Sequence, residues 1–462
     1  MKTAWHRIIT FLVILLFLAP HHPASAQGSG AIYTVQEGDT LTSISLAFRT
    51  TTRDLLALNP MDDPNNLAPG KRLFIPGFED LTGEIRRLPL PAGESARTLR
   101  RGLRQLGNLT ERLNFLTSPD QLYAGKDFYY LYPGDFEQHR LSLTAGINAA
   151  ELAVATFSNP WLAAQYNDLP SPWWLLANDT LYLPASTLQP SSAYIPTLSG
   201  MDVKGSTIAQ GKTSIFQADA APGVTVSGAL MGYTLHFFPD SRGGLTSLQG
   251  VPRMAETGLY PLVVTATTPD GRTFTHQQNL LLEYVQYGYD TPLEVADNVV
   301  DPAVTEPEFE LLMELTADAP PEKLWSTIFF APSPNPDKIT SYYGRLREYN
   351  GSGYIFYHSG LDYMGSNTTP ILAPAPGIVT YTGELTVRGM TTIISHGWGV
   401  YTGYWHQSRI DVKVGDRVET GQTIGMVGNT GRVTGQHLHF DLIVGQVEVD
   451  PEDWFRRNYV DL

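Results

Sequence analysis

A mainly β, multidomain fold is predicted for this chain of 462 residues, with small α/β modules first, a β-sandwich next and a β-rich domain last. Three observations predict it. The length suits about three domains of ordinary size. The 42 Gly and 33 Pro punctuate the chain with turns. Strand-like runs bounded by turn residues fill 205–286, and apolar alternation returns at 437–442. A 42% hydrophobic and 17% charged composition is that of a globular protein. The net charge of -15 argues against nonspecific binding to nucleic acid or an anionic membrane surface, both of which need basic patches. With no cysteine, disulfides, thiolate metal sites and a cysteine nucleophile are excluded.

Taken in order, residues 1–26 read as a secretory signal. Lys2 and Arg7 supply charge, IITFLVILLFLA the apolar run and Ala24-Ser25-Ala26 the cleavage site. The apolar run of about twelve residues falls short of the roughly twenty needed to span a bilayer, so no transmembrane segment is expected after cleavage. The stretch YTVQEGDTLTSISLAFRTTTRDLLALNPMDDPNNLAPGKRLFIP then shows a short strand, a helix begun at Asp39 or Thr40, a second helix ending near Asn59 and a closing strand. It resembles a LysM module over 31–77. That resemblance implies binding to N-acetylglucosamine-containing glycans through Gly38, Asp39, Thr40 and Leu41 after the first strand and through Asn59, Pro60 and Met61.

Two further copies follow at 86–133 and 139–185. Gly38, Asn59, Leu67 and Gly70 recur as Gly93, Asn114, Leu122 and Gly125, and again as Gly146, Asn167, Leu175 and Asn178. Asn178 replaces glycine where a positive φ is needed. GESA and GINA stand where the first copy has GDTL, so the degenerate copies are expected to serve as spacers. Beyond the Ser/Pro stretch QPSSAYIP, the segment 196–289 alternates strand-like runs with turns at Ala221-Pro222-Gly223, Asp240-Ser241-Arg242-Gly243 and Pro269-Asp270-Gly271. This pattern predicts an immunoglobulin-like β-sandwich in which His236 and His276 are structural. The acidic, proline-containing stretch 290–324 reads as a linker or brace, with a short helix at EPEFELLMEL and a solvated charged face.

The domain 325–462 carries the chemistry. Of eleven histidines, five lie between His358 and His439. HSGLDY presents an HxxxD pair and TGQHLHFDL an HxH pair. Residues two apart share a face of a strand, so His437 and His439 suit a strand whose other face is Leu438, Phe440 and Leu442. Gly360 favours extended chain around His358 and Asp362. Two His and one Asp match a mononuclear zinc site that keeps one position open.

From Ile339 to Leu442 the motifs ITSYYGRLRE, HSGLDY, TPILAPAPGIV, TIISHGWGVYTGYWHQS and VKVGDRVETGQTIGMVGNTGRVTGQHLHFDL resemble the lysostaphin-type (LytM) zinc endopeptidases. These cut peptide bonds of bacterial peptidoglycan. The resemblance implies an all-β peptidase domain binding one Zn²⁺ through His358, Asp362 and His439, with His406 and His437 as the catalytic pair and no ligand role for His396. Trp405 departs from the small residue usual there. Asp441 stands where the family often has Glu and is expected as an exposed strand carboxylate, although a partner for a ligand histidine is the other reading. The expected protein is a secreted, cell-envelope zinc endopeptidase acting on peptidoglycan cross-links or stem peptides and held on glycan strands by LysM. A non-catalytic wall-binding regulator of amidases is the alternative.

Overall fold

The computed structural model describes residues 30–105, 108–118, 121–135, 138–156, 158–184, 198–297, 300–457 and 459. The expected signal segment and the whole Ser/Pro boundary lie outside them. The chain forms two compact units. One comprises Met1–Leu88, Gly107–Phe115 and Phe128–Gly134, and the other comprises the rest.

In the first unit, β1 (Ala31–Thr34), α1 (Leu41–Ala47), α2 (Thr52–Leu58) and β2 (Arg72–Phe74) follow one another. Thr40 caps α1, its side chain accepting from Ser43 N while the Ser43 hydroxyl accepts from Thr40 N. Such a reciprocal cap satisfies two amides that a helix start leaves unpaired. The second repeat supplies β3 (Gly83–Pro89), α3 (Ala96–Gly102), α4 (Leu109–Leu113) and β4 (Asp127–Leu131). Its strands extend the first module's sheet, in the order β2-β1-β3-β4, with β3 parallel to β1. Tyr33, Phe48, Leu55, Leu73, Ile85 and Leu113 form the core of this unit.

Each copy of the repeat closes with one device. Asn59 donates to Leu55 O (2.8 Å) and Phe74 O (2.7 Å) and accepts from Phe74 N (2.7 Å). Asn114 makes the same three bonds with Thr110 and Tyr129, and Asn167 with Ala163 and Tyr182. The side chain thereby satisfies backbone groups of a helix end and a strand at once. The turn positions also repeat. Gly70 and Gly125 have φ of 85°, and Asn178 takes the same left-handed region at 65°.

In the second unit, β5 (Gln138–Ser142), α5 (Ala149–Thr156), α6 (Pro160–Tyr166) and β6 (Thr180–Pro184) make the third repeat. Helix α3 lies in this unit too, where Arg101 donates to Asp179 Oδ1 (2.8 Å) and Thr180 O (3.0 Å).

The expected sandwich follows. One sheet holds β11 (Tyr233–His236), β10 (Thr225–Leu230), β14 (Gly258–Thr267), β15 (Thr273–Glu283) and β8 (Ile208–Ala209). The other holds β12 (Phe238–Pro239), β13 (Leu245–Gly250), β9 (Thr213–Ala220) and β7 (Leu198–Val203). Phe216, Leu230, Leu262, Val264 and Leu280 are buried in its core. Strand β15 covers the turns of the degenerate repeats. Gly93 N donates to Gln278 Oε1 (2.7 Å), Ala124 N to Asn279 O (3.0 Å) and Ala145 N to Thr273 O (2.6 Å).

The acidic stretch is more ordered than a linker. It contains α7 (Pro302–Leu315), longer than the short helix expected and running through Pro307. Its inward side places Leu312, Met313 and Leu315 against Ile393, Tyr401, Trp405 and Ile443. Glu306, Glu310 and Glu314 form the solvated face, while Glu308 is buried.

The last domain is built on a ten-stranded antiparallel sheet, with a separate two-stranded ribbon of Leu346–Arg347 and Phe356–Tyr357 and a closing helix, Pro451–Arg456. The sheet's main path runs β16 (Ile339–Ser341), β19 (Leu361–Met364), β26 (His437–Val444), β23 (Val400–Ile410), β22 (Gly389–Gly397), β21 (Gly377–Leu385) and β24 (Arg417–Val418). Leu361, Tyr363, Leu438 and Phe440 are buried on one side of β19 and β26, so their neighbours in the sequence face the other. Among the described residues, no helix is long and apolar enough to cross a membrane.

Candidate metal centre and active site

Strand register builds the site. Asp362 on β19 lies directly opposite His439 on β26, and Met364 opposite His437. His358 precedes β19 at a corner made possible by Gly360. A Cβ at Gly360 would lie 2.1 Å from Phe440 O and 2.5 Å from Asp441 Oδ1, so only glycine lets the corner approach β26.

The three candidate ligands converge. His358 Nε2 is 3.0 Å from Asp362 Oδ1 and 3.0 Å from His439 Nδ1, which is 2.9 Å from the same carboxylate oxygen. All three residues are buried and form a group able to hold a metal ion. Their outer atoms fix which inner atoms are donors. His358 Nδ1 faces the Tyr342 carbonyl (3.0 Å) and the Ser341 hydroxyl (3.0 Å). His439 Nε2 faces Asp441 Oδ1 (2.7 Å). With those N–H groups directed outward, His358 Nε2 and His439 Nδ1 present lone pairs beside a carboxylate, the donor set of a zinc site.

The electrostatics agree. Burial pushes His358 down to about 4 against the pull of Asp362. Burial lowers His439 as well, but Asp441 and Asp362 outweigh it and lift the group to about 9. Without a metal the His439 ring thus holds a proton between the two carboxylates, and a cation bound at Nδ1 would take that proton's place.

His406 and His437 stand beside this triangle, their ring centroids 4.9 Å apart. His437 Nε2 lies 3.6 Å from Asp362 Oδ1. His406 Nδ1 donates to Thr430 O (2.8 Å) and His437 Nδ1 to Gly435 O (2.8 Å), which leaves each Nε2 proton-free in the neutral ring. Burial, then the neighbouring His437 and His439, hold His406 well below the usual histidine range. Its backbone has φ of 63°, a strained conformation for a residue with a Cβ. His396 is elsewhere, its ring bonded to Pro376 O (2.7 Å) and the Thr402 hydroxyl (2.8 Å) within the core.

A cleft of about 730 Å³ opens over the five site residues. Tyr349, Phe356 and Val433 line it, and so do Leu293, Val295 and Phe309 from the acidic stretch.

One expectation is corrected. Asp441 is fully buried and bonds His439, Ser359 and Trp405 Nε1 (2.7 Å), so it is a ligand partner and not an exposed carboxylate. Trp405, where a small residue is usual, is buried and forms part of the cleft lining. In the first module, Leu41 is a core residue, Asn59 is consumed by its clamp, and Asp39 accepts from Tyr33 OH and Gln36 N. Gly38, Asp39, Thr40, Pro60 and Met61 of the expected glycan set keep exposed or half-exposed surface. Sequence reasoning missed Asp290, Ser341, Arg347 and Glu308. Ser341 and Arg347 stand in or beside the quoted motif ITSYYGRLRE, but nothing in their spacing links them to Asp290 or Glu308.

Comparison with known proteins agrees with this architecture. Residues 356–451 match the Peptidase family M23 profile and residues 33–76 the LysM domain profile. Peptidoglycan DD-endopeptidase ShyC of Vibrio cholerae is 38% identical over 114 residues, 25% of this chain and 26% of that protein. ShyA of the same organism, also a peptidoglycan DD-endopeptidase, is 39% identical over 107 residues, 23% of this chain and 25% of its own length. The matches thus span about a quarter of these relatives. A solved mutant of the catalytic domain of the prophage-encoded M23 protein EnpA from Enterococcus faecalis is 32% identical, with a TM-score of 0.24, covering 28% of this chain and 95% of that one. The chain carries a peptidase family M23, or LytM-type, domain and an amino-terminal LysM domain.

Proposed function

We propose that the protein is a zinc-dependent endopeptidase of the cell envelope that hydrolyses peptide cross-links or stem peptides of peptidoglycan. The observation that carries this reading is the convergence of His358 Nε2, Asp362 Oδ1 and His439 Nδ1 to within 3.0 Å of one another, in an open cleft with two further histidines. The names of the Vibrio cholerae relatives support the substrate class. A zinc ion bound there supplies Lewis acidity, polarising a carbonyl and acidifying a water at neutral pH.

The chain's own residues do the rest. Asp441 fixes the His439 ring, and Tyr342 and Ser341 fix His358. One of His406 and His437 takes a proton from the attacking water at its Nε2 and returns it to the leaving amine, and the other, once protonated at Nε2, steadies the oxyanion. The cleft walls exclude water and align the peptide. The first LysM module holds the enzyme on glycan and raises the local substrate concentration.

The test is to incubate the protein with purified cross-linked peptidoglycan, with and without a chelator, and to identify released fragments by mass spectrometry. Chelator-sensitive release of peptides with new amino termini is expected. No release by folded, zinc-loaded protein would replace this reading with the wall-binding regulator.

A further inference from the structure

We propose that Asp290, which lies outside the region matching the family, is a positioning residue that orients two of the three metal donors. The inference rests on the zinc reading above. Asp290 follows the last sandwich strand by seven residues (283 to 290) and lines the cleft. Its carboxylate is 14% exposed and works in two directions.

In the first direction, Asp290 Oδ2 accepts the Ser341 hydroxyl proton (2.7 Å). With its only hydrogen committed, the Ser341 oxygen is left as an acceptor 3.0 Å from His358 Nδ1. That bond keeps the His358 proton on Nδ1 and the lone pair on Nε2, toward the metal. Reversing the Ser341 hydroxyl would oppose an N–H there and leave the Tyr342 carbonyl, also 3.0 Å from Nδ1, as the single acceptor holding that tautomer. In the second direction, Asp290 Oδ2 accepts Arg347 Nε (3.0 Å), while Arg347 Nη2 donates to Asp362 Oδ2 (2.8 Å) and Ser341 Oγ (3.1 Å). The guanidinium therefore holds the outer oxygen of Asp362, which leaves Oδ1 for the metal.

Arg347 is a cation beside a metal-binding carboxylate and would by itself weaken the centre. Asp290 offsets that charge and fixes the angle at which the guanidinium meets Asp362. Arg345 makes the third pairing, its Nε 2.7 Å from Asp290 Oδ1, and anchors the carboxylate on the side away from the site. One residue from the approach to the catalytic domain thus reinforces, beside the Tyr342 carbonyl, a tautomer on one candidate ligand and holds a rotamer on another. Partners of this kind cost about 10- to 100-fold in metal affinity when removed.

The experiment compares the full-length protein with Asp290→Asn, Ser341→Ala and the double variant Asp290→Asn with Arg347→Gln. Zinc affinity is read by competition with a chromophoric chelator, and thermal unfolding is followed with and without zinc. Asp290→Asn is expected to bind zinc about 10- to 100-fold more weakly and Ser341→Ala about tenfold. The zinc-dependent rise in melting temperature should shrink in both, whereas a merely structural role would shift only the metal-free midpoint. The double variant should bind no more weakly than Asp290→Asn, because both residues act through Asp362. Ser341→Ala, which removes one exchangeable hydroxyl, carries the test if Asp290→Asn does not fold. Affinity within twofold of wild type in the folded variants, or losses that simply multiply in the double variant, would overturn the proposal. Failure of the wild-type protein to bind one zinc would instead sink the zinc reading.

Discussion

Replacing Glu308 on α7 should damage catalysis without removing the metal. Its carboxylate is 6% exposed and accepts from Val387 N (2.8 Å), Arg388 N (3.0 Å) and Arg388 Nη1 (3.0 Å). These donors belong to the tip of the β21–β22 hairpin. The tip in turn accepts from His406 N at Arg388 O (2.8 Å) and from Arg432 N at Val387 O (2.7 Å). An unpaired buried amide costs about 1–3 kcal/mol, so Glu308→Ala should weaken the anchorage by roughly 3 kcal/mol. His406 stores on the order of 1–2 kcal/mol in its left-handed backbone, and it keeps that conformation only while its surroundings insist on it. The loss exceeds the strain, so His406 should relax. A displacement of about 1 Å costs around 100-fold in rate. The expected result is a kcat about 100-fold lower at unchanged zinc stoichiometry, with Glu308→Gln, which keeps one acceptor, in between. The assay is fragment release from cross-linked peptidoglycan beside metal analysis of the same samples. Wild-type kcat in Glu308→Ala, or zinc lost in step with activity, would refute the reasoning.

Two more predictions concern folding. Gly360→Ala drives a methyl into Phe440 O and Asp441 Oδ1, which should part the ligand corner from β26, cost roughly 3 kcal/mol and abolish stoichiometric zinc, as metal analysis of purified protein will report. His396 is fully buried, and burial lowers it from 6.5 to about 4. Above pH 6.5 it is neutral folded and unfolded. As pH falls, the unfolded chain takes the proton first, so up to about 3 kcal/mol of stability is lost between pH 6.5 and 4, with no further loss below. Urea unfolding of metal-free protein, followed by the fluorescence of Trp325, Trp398 and Trp454, should show this fall in wild type and a shallower one in His396→Asn. Equal slopes would contradict the assignment.

The clustering of His358, Asp362, His437 and His439 was legible because their spacing is local and the strand period is strict, whereas His406 entered only through the family resemblance. HxxxD and HxH each fix a geometry, and antiparallel pairing needs only to bring Asp362 opposite His439. The repeats were legible for a similar reason, since positive φ restricts which residues can stand at Gly70, Gly125 and Asn178. What stayed hidden depends on tertiary docking. Glu308 and Asp290 lie in an acidic, proline-containing stretch whose composition matches solvated linkers, and nothing local marks one carboxylate as buried. Asp441 misled because HLHFD continues past the metal ligands with a charge, and charge usually means exposure. Asn59 carries a structural task that its sequence position does not disclose. A polar residue at a loop near a binding groove looks like a ligand contact, whereas its three bonds to Leu55 and Phe74 spend every polar atom on the fold.

The second repeat has a consequence for dissecting the molecule. Its strands complete the sheet of one compact unit, while its helix α3 belongs to the other. Cutting the gene at either end of that repeat leaves one body without its outer strands or the other without a helix, so no truncation drawn on the repeat boundaries yields an intact piece. What was duplicated in the chain is a stretch of code. The division into compact units follows a different line, which passes through the middle of a copy.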